Sequence, residues 1–237
     1  VRAFVDLHCH TSASFDCLAS PESVVRAAAK RGLTHLAITD HDRIDAALRI
    51  RDAAPEGLTV IVGEEIKTAE GDLIALFLER AVPPGLPARQ TIEAVRAQGG
   101  LVGLPHPFDR YRGSMLKEDD RSLDEIGRLV DWVEAHNARV VGGSANERAA
   151  AFARELGKPG VAVSDAHSVL EVGVSYTAVD GDPSTPRGLL TALETVSIVP
   201  GRASYVVRAL TPISKLVNRA RGNTRVPRSS ADPSGDA

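Results

Sequence analysis

Cysteine is scarce in this chain of 237 residues: Cys9 and Cys17 are the whole complement. Two cysteines cannot build a disulfide scaffold, and the scarcity fits a reducing cytoplasm. Long apolar runs are missing too, so a membrane span is not expected. Nor is a secretory leader, since no positively charged, apolar, cleavable stretch is visible. Neither sign of charge dominates, with 28 Lys and Arg against 31 Asp and Glu and a net charge of −3. That balance offers no electrostatic case for duplex nucleic acid. The Arg-rich stretch 216–237 lacks the aromatics that stack bases, and reads as a solvated basic tail with disordered last residues. What is present is a 43% hydrophobic content, enough for a sizeable core.

The most informative stretch is Phe4-Val5-Asp6-Leu7-His8-Cys9-His10-Thr11-Ser12. It reads as a short strand and its end. Alternation along a strand points His8 and His10 one way and Cys9 the other. Two imidazoles so placed can grip one metal ion, and Asp16, in the small-residue loop that follows, can add an oxygen.

Further along, Ser20-Pro21-Glu22 reads as an N-cap, a first-turn proline and an acid at the positive helix end. The helix closes at Gly32, and 33–39 is an apolar strand ending in Asp40-His41-Asp42. The same alternation recurs. Helices are expected at 44–54, 91–98, 122–129, 145–156 and 187–195. Strands are expected at 58–62, 72–78, 101–104, 131–135, 160–163 and 175–179. About seven strand–helix units in one domain suit a closed parallel barrel better than a small open sheet, and active sites on such barrels sit at the C-terminal strand ends. His8, His10, His41, Glu65, His106, Asp165 and His167 all fall at those ends. The domain is expected over 1–210, with the tail at 211–237, and 109–121 reads as a long loop over the functional edge.

Five motifs mark successive strand ends: D-L-H-C-H-T-S at 6–12, T-D-H-D at 39–42, G-E-E at 63–65, P-H-P-F-D at 105–109 and S-D-A-H at 164–167. Together they resemble the polymerase-and-histidinol-phosphatase (PHP) family. The resemblance covers about four-fifths of the chain. It implies an α/β fold, a distorted (β/α)7 TIM-like barrel, with two or three divalent metal ions. His8, His10 and Asp165 match the first metal's ligands, Glu65 a bridging carboxylate, and His106 a ligand of the second metal. Asp16, His41 and His167 match the third metal's set. Mixed imidazole and carboxylate shells suit Mn, Fe or Zn better than Mg or Ca. One departure stands out. Many relatives carry a further histidine in the strand after the bridging Glu, and 71–78 contains none. His136 is not expected to replace it, since Glu134 and Asn137 keep the family's Glu-x-x-Asn pattern there.

The implied activity is metal-dependent hydrolysis of a phosphate ester of a small metabolite or nucleotide, with the metals activating a water and neutralising phosphoryl charge. Glu65 and His41 belong to the reaction centre. Arg43, Arg110 and Arg112 are candidates to clamp the phosphate. The partner expected is a small phosphorylated substrate, with neither membrane nor nucleic acid. Other readings are a nuclease-like phosphodiesterase, a carbon–nitrogen hydrolase and a non-catalytic metal-binding module. Bland readings apply elsewhere. His35 sits early in its strand and is structural. Of Glu64 and Glu65, which have opposite parity, only one faces the site, with Glu65 favoured. Asp6 and Asp40 orient histidines or cap strand ends. Cys9 is buried on the far face, Cys17 is filler or an exposed thiol, and Trp132 and Tyr176 are core.

Overall fold

The structure, a computed structural model, describes residues 1–110, 114, 120–141, 143–204, 207 and 210–225. The described elements, in order, are β1 (Arg2–Asp6), α1 (Pro21–Lys30), β2 (His35–Ile38), α2 (Asp45–Arg51), β3 (Thr59–Lys67), β4 (Asp72–Leu76) and α3 (Ala88–Arg96). There follow β5 (Leu101–Leu104), α4 (Asp120–Leu129), β6 (Trp132–Asn137), α5 (Gly143–Glu155), β7 (Gly160–Val163) and β8 (Tyr176–Asp180). The last are α6 (Pro186–Ala192), a 3₁₀ turn (Leu193–Thr195), β9 (Ser197–Val199) and α7 (Leu210–Ala220).

Helix α1 begins as its sequence dictates. The Ser20 hydroxyl accepts from the Ser23 N–H, Pro21 occupies the first turn, and Pro21, Val24, Val25 and Ala28 are buried. Thr185 caps α6 in the same way, accepting from Gly188.

The strands form one nine-stranded sheet in the order β7-β6-β5-β4-β3-β2-β1-β8-β9. It curls until its two sides meet. At the C-terminal end, Cys9 and Ala166 bridge in parallel, with His10 N–H donating to Ala166 O and Asp165 N–H to His8 O, both at 2.9 Å. Lower down, the Thr177 hydroxyl on β8 accepts from Ala162 N–H (2.8 Å) and donates to Ala162 C=O (2.9 Å) on β7. The sheet is therefore a nearly closed barrel.

It is not a uniform parallel one. β4 runs antiparallel to both β3 and β5, and β8 runs antiparallel to β1 and β9. The reason is local: only the turn 68–71 separates β3 from β4, too short for a crossover helix. The expectation of repeated strand–helix units fails at that hairpin, and this is the distortion of the barrel.

The interior is filled by Val5, Leu7, Ile61, Ile74, Leu76 and Trp132, among others, while a second cluster packs the helices on the outside. Gly103 exists for Trp132, because a Cβ there would lie 2.2 Å from the indole. Leu7 belongs to the interior cluster and Cys9 to the outer one, although they share parity. The alternation of β1 thus breaks after Leu7, and the break turns both His8 and His10 inward.

Part of the expected tail is structured. α7 and the turn after it lie against the 11–17 loop. Asn218 donates to Cys17 O (2.9 Å) and Ser14 O (3.2 Å), and Asn223 donates to Ala13 O (3.1 Å). Asparagine amides saturating loop carbonyls give a polar segment a reason to dock without a large apolar face. No helix among the described residues is long and apolar enough to cross a membrane.

Candidate metal centre

The C-terminal strand ends bring most of the expected residues to one place. His8 Nε2 and His10 Nε2 lie 3.0 Å apart. Glu65 Oε2 is 3.4 and 3.3 Å from them, and Asp165 Oδ1 is 3.6 and 3.5 Å from them. Beside this group, Asp16 Oδ2 lies 3.4 Å from His41 Nε2 and 3.2 Å from His167 Nε2. His106 Nε2 lies 3.4 Å from the other Glu65 oxygen. Glu65 thus touches all three groups, since His41 Nδ1 is 3.0 Å from its Oε2. All of these side chains are buried or nearly so.

The donor sets fit divalent ions. Four donors about 2.0–2.2 Å from one ion stand roughly 3.3–3.6 Å apart, close to the spacings around His8 and His10. Burial alone would strip the proton from His10, yet hydrogen bonds to Asp165 and Glu65 hold it up at about 9. His8, likewise buried, is raised by Asp165, Glu134 and Glu65. The pocket therefore draws in a positive charge, which a metal supplies better than a proton. Burial pushes His167 down to about 4, leaving a neutral imidazole. Although burial opposes it, His167 and His41 hold the Asp16 carboxyl well below the usual range. Asp16 Oδ1 is buried without a hydrogen-bond partner, while its Oδ2 faces His41 and His167.

Supporting contacts set the tautomers. His8 Nδ1–H donates to Glu134 Oε1 at 2.6 Å, which leaves Nε2 as the free lone pair. Glu134 Oε2 accepts from His106 N–H and from Asn137, and Asn137 also donates to Asp165 Oδ2. His10 Nδ1 faces the Ser14 hydroxyl at 3.1 Å, and that hydroxyl donates to Asp40 (2.6 Å). Asp40 also accepts from the Thr11 N–H and hydroxyl. Asp6 accepts from Ser164 N–H, and burial raises it to about 6. Among the described residues, four that are not glycine have positive φ, and three lie here: Asp42 (56°), His106 (26°) and Asp165 (51°). Left-handed backbone at such residues is strained, and the strain aims His106 and Asp165 inward.

Other residues settle away from this centre. Glu64 faces the helices, accepts from Val82 N–H, and is raised to about 8 by burial. His136 Nε2–H donates to Gly201 C=O at 2.8 Å. His35 is buried near Ser184 at the start of β2, and its imidazole is lowered by burial. Cys9 and Cys17 are both buried and free, so Cys17 is filler. Trp132 is core, while Tyr176 is half-buried, edge-on to Phe4.

The arginines expected at the phosphate fare less well. Arg43 spends its Nε and Nη2 on Asp45 and its Nη1 on Ala13 O, beside a neighbouring depression of about 210 Å³. Arg110 is exposed and lines a separate depression with Phe108, Val141 and Arg148. The cause is the turn that begins at His106, where Asp109 N–H bonds back to His106 O and sends the chain outward. Arg112 lies outside the described residues. The cations that do line the central cavity, about 410 Å³, are Arg139, Lys215 and Arg225. Two of them come from the segment read as a tail, and no local pattern in the sequence marks them.

A family model for the PHP domain matches residues 6–140, and one described as PHP-associated matches 143–195. The chain belongs to the PHP family. It is accordingly a hydrolase of phosphoric esters that depends on divalent metals. Over 144 residues it is 38% identical to an uncharacterized protein of Methanocaldococcus jannaschii, covering 56% of this chain and 81% of that one. Its fold is similar to a two-domain protein of Bacteroides vulgatus containing a predicted PHP-like metal-dependent phosphoesterase. The TM-score is 0.70 at 18% identity, over 85% of this chain and 65% of that one. It is also similar to a lesion-specific endonuclease of Pyrococcus furiosus, with a TM-score of 0.63 at 17% identity, over 84% of this chain and 58% of that one. The chain thus spans about three-fifths of each of these two solved structures.

Proposed function

We propose that this PHP protein hydrolyses the phosphate ester of a small metabolite or nucleotide in the cytoplasm. In this reading His8, His10, Asp165 and Glu65 hold one ion, Asp16, His41 and His167 another, and Glu65 with His106 a weaker one. The observation that carries the reading is that Asp16, His41, Glu65, His106, Asp165 and His167 line a single cavity of about 410 Å³, a volume typical of small-molecule sites, with His8 and His10 buried against Glu65 and Asp165. α7 contributes Thr211, Pro212 and Lys215 to its wall, which narrows the approach. Bound ions would supply an activated water and offset charge on the phosphoryl oxygens. The protein's own part is to keep His8 and His10 in the metal-binding tautomer, through Glu134 and Ser14, and to hold Glu65 dry between the groups. The two buried free cysteines support a reducing compartment.

A second reading is a nuclease, favoured by the likeness to the P. furiosus endonuclease. The two separate by substrate. Purified protein reconstituted with Mn, Zn or Fe is assayed on p-nitrophenyl phosphate, bis(p-nitrophenyl) phosphate and single-stranded DNA at low salt. Monoester turnover that is lost in His8→Ala supports the proposal. DNA cleavage without monoester turnover replaces it with the nuclease reading, and no turnover on any of the three sinks both.

A further inference from the structure

Arg225 belongs to the segment that the sequence presents as tail, yet it reaches the wall of the central cavity. Its Nε donates to Asp42 Oδ2 at 2.8 Å and its Nη2 to Asp72 Oδ1 at 2.9 Å. Both carboxylates are buried and the arginine side chain is 18% exposed. A guanidinium carries five N–H donors in a rigid fork, so two anchored donors leave the others for the cavity.

Three features make the placement specific. Asp42 directly follows His41 in the T-D-H-D motif, and its other oxygen accepts from Lys67 N–H at 2.7 Å, so the anchor is itself fixed. Asp72 opens β4, the strand in which the family's further histidine is missing. Asn223, two residues before Arg225, is tied to the loop that carries Asp16. The arginine is therefore locked to the same elements as the candidate metal ligands. Two carboxylates offset its charge, so what it offers is donor geometry more than field.

Resting on the phosphoesterase reading, we propose that Arg225 is the phosphate-recognition residue of this site, presented by the C-terminal segment. It binds a non-bridging phosphoryl oxygen on the side of the cavity where the second metal is under-supplied with protein ligands. Arg43 and Arg110 do not take that role, because neither lines the central cavity and each borders a different depression.

The test uses the full chain, metal-loaded, with inorganic phosphate as the probe. Wild type, Arg225→Gln and Arg225→Lys are compared by calorimetric phosphate binding, bound-metal content and p-nitrophenyl phosphate kinetics. Arg225→Gln is expected to raise the phosphate Kd and the KM about tenfold each, with metal content unchanged and kcat within about threefold. Arg225→Lys is expected to recover part of the loss, since an ammonium keeps charge but cannot span both carboxylates. A phosphate Kd within twofold of wild type in Arg225→Gln overturns the proposal. So does loss of bound metal, which would make the residue a support of the ions. A wild-type protein that neither binds phosphate nor cleaves any ester removes the phosphoesterase reading itself, an outcome distinct from an active wild type with an indifferent Arg225→Gln.

Discussion

Glu134 and His8, 126 residues apart in the chain, meet at 2.6 Å in the barrel interior, both essentially without solvent. The contact decides which imidazole nitrogen is free. Replacing Glu134 with Gln keeps the shape but weakens the acceptor and permits the other tautomer. Second-layer substitutions of this kind typically cost 10- to 100-fold in metal affinity. Glu134→Gln is expected to lose metal to a competing chelator at roughly that lower concentration, and unchanged retention would remove the orienting role.

Asp16, His41 and His167 form a second group that adjoins the His8–His10 pair through His10. If each group serves its own ion, Asp16→Ala lowers the bound metal by one equivalent and leaves the other in place. His10→Ala, by contrast, disturbs both, because its ring lies 4.5 Å from His41 and 4.2 Å from His167 between centroids. Elemental analysis of the two variants checks this, and equal losses in both would contradict it.

Proton and metal compete for His10. Burial alone would lower its pKa, but hydrogen bonds to Asp165 and Glu65 hold it at about 9 in the metal-free fold. An unfolded histidine titrates near 6.5. Because the folded value is the higher one, the stability it contributes is complete below about pH 6.5 and disappears as pH rises through about 9. The metal-free protein should therefore lose Tm between pH 6.5 and 9.5. The metal-loaded protein should not, because an ion replaces the proton. Thermal unfolding with and without chelator distinguishes the two profiles.

Asp40 receives three hydrogen bonds, from the Thr11 N–H, the Thr11 hydroxyl and the Ser14 hydroxyl, all at 2.6–2.7 Å. Hydrogen bonds to a charged acceptor are worth about 1.5–3 kcal/mol each, and they are not additive in one cluster. Asp40→Ala is expected to destabilise the fold by roughly 3–5 kcal/mol in chemical denaturation. A loss below about 1 kcal/mol would show that the loop holds without it.

Arg110 faces away from the central cavity. Arg110→Ala is accordingly expected to leave kcat/KM on p-nitrophenyl phosphate within twofold of wild type. A tenfold loss would return it to the site.

Much of the centre is legible in order along the chain because His8, His10, His41, His106, Asp165 and His167 follow strand ends, where a His or carboxylate has no local structural purpose; Glu65 instead lies inside β3, which runs on to Lys67 past the expected end, and Asp16 lies in a loop. That only one of Glu64 and Glu65 faces the site follows from their opposite parity, with Glu65 favoured by its alignment with Gly63, and the two side chains do find different partners. The convergence of His8 and His10 is less secure from alternation alone. Leu7 and Cys9 share a parity and yet belong to opposite clusters, so the strand changes face between them. The antiparallel β4 was equally hidden, since an apolar pentapeptide carries no sign of its direction. Helix α7 and Arg225 escaped because a polar, Arg-rich stretch reads as solvated until loop carbonyls are available to receive its asparagines.

Local chemistry in the chain determined which residues could ligate an ion, where helices such as α1 begin, and where most strands lie, because capping, alternation and donor type depend on neighbours in sequence. Only the tertiary structure decided how the barrel closes, through Cys9 with Ala166 and Thr177 with Ala162, and which arginines line the cavity. Those outcomes depend on groups more than a hundred residues apart, or on strands that pair across a gap. No pattern within a window of the chain encodes such a meeting; it exists once the sheet has curled.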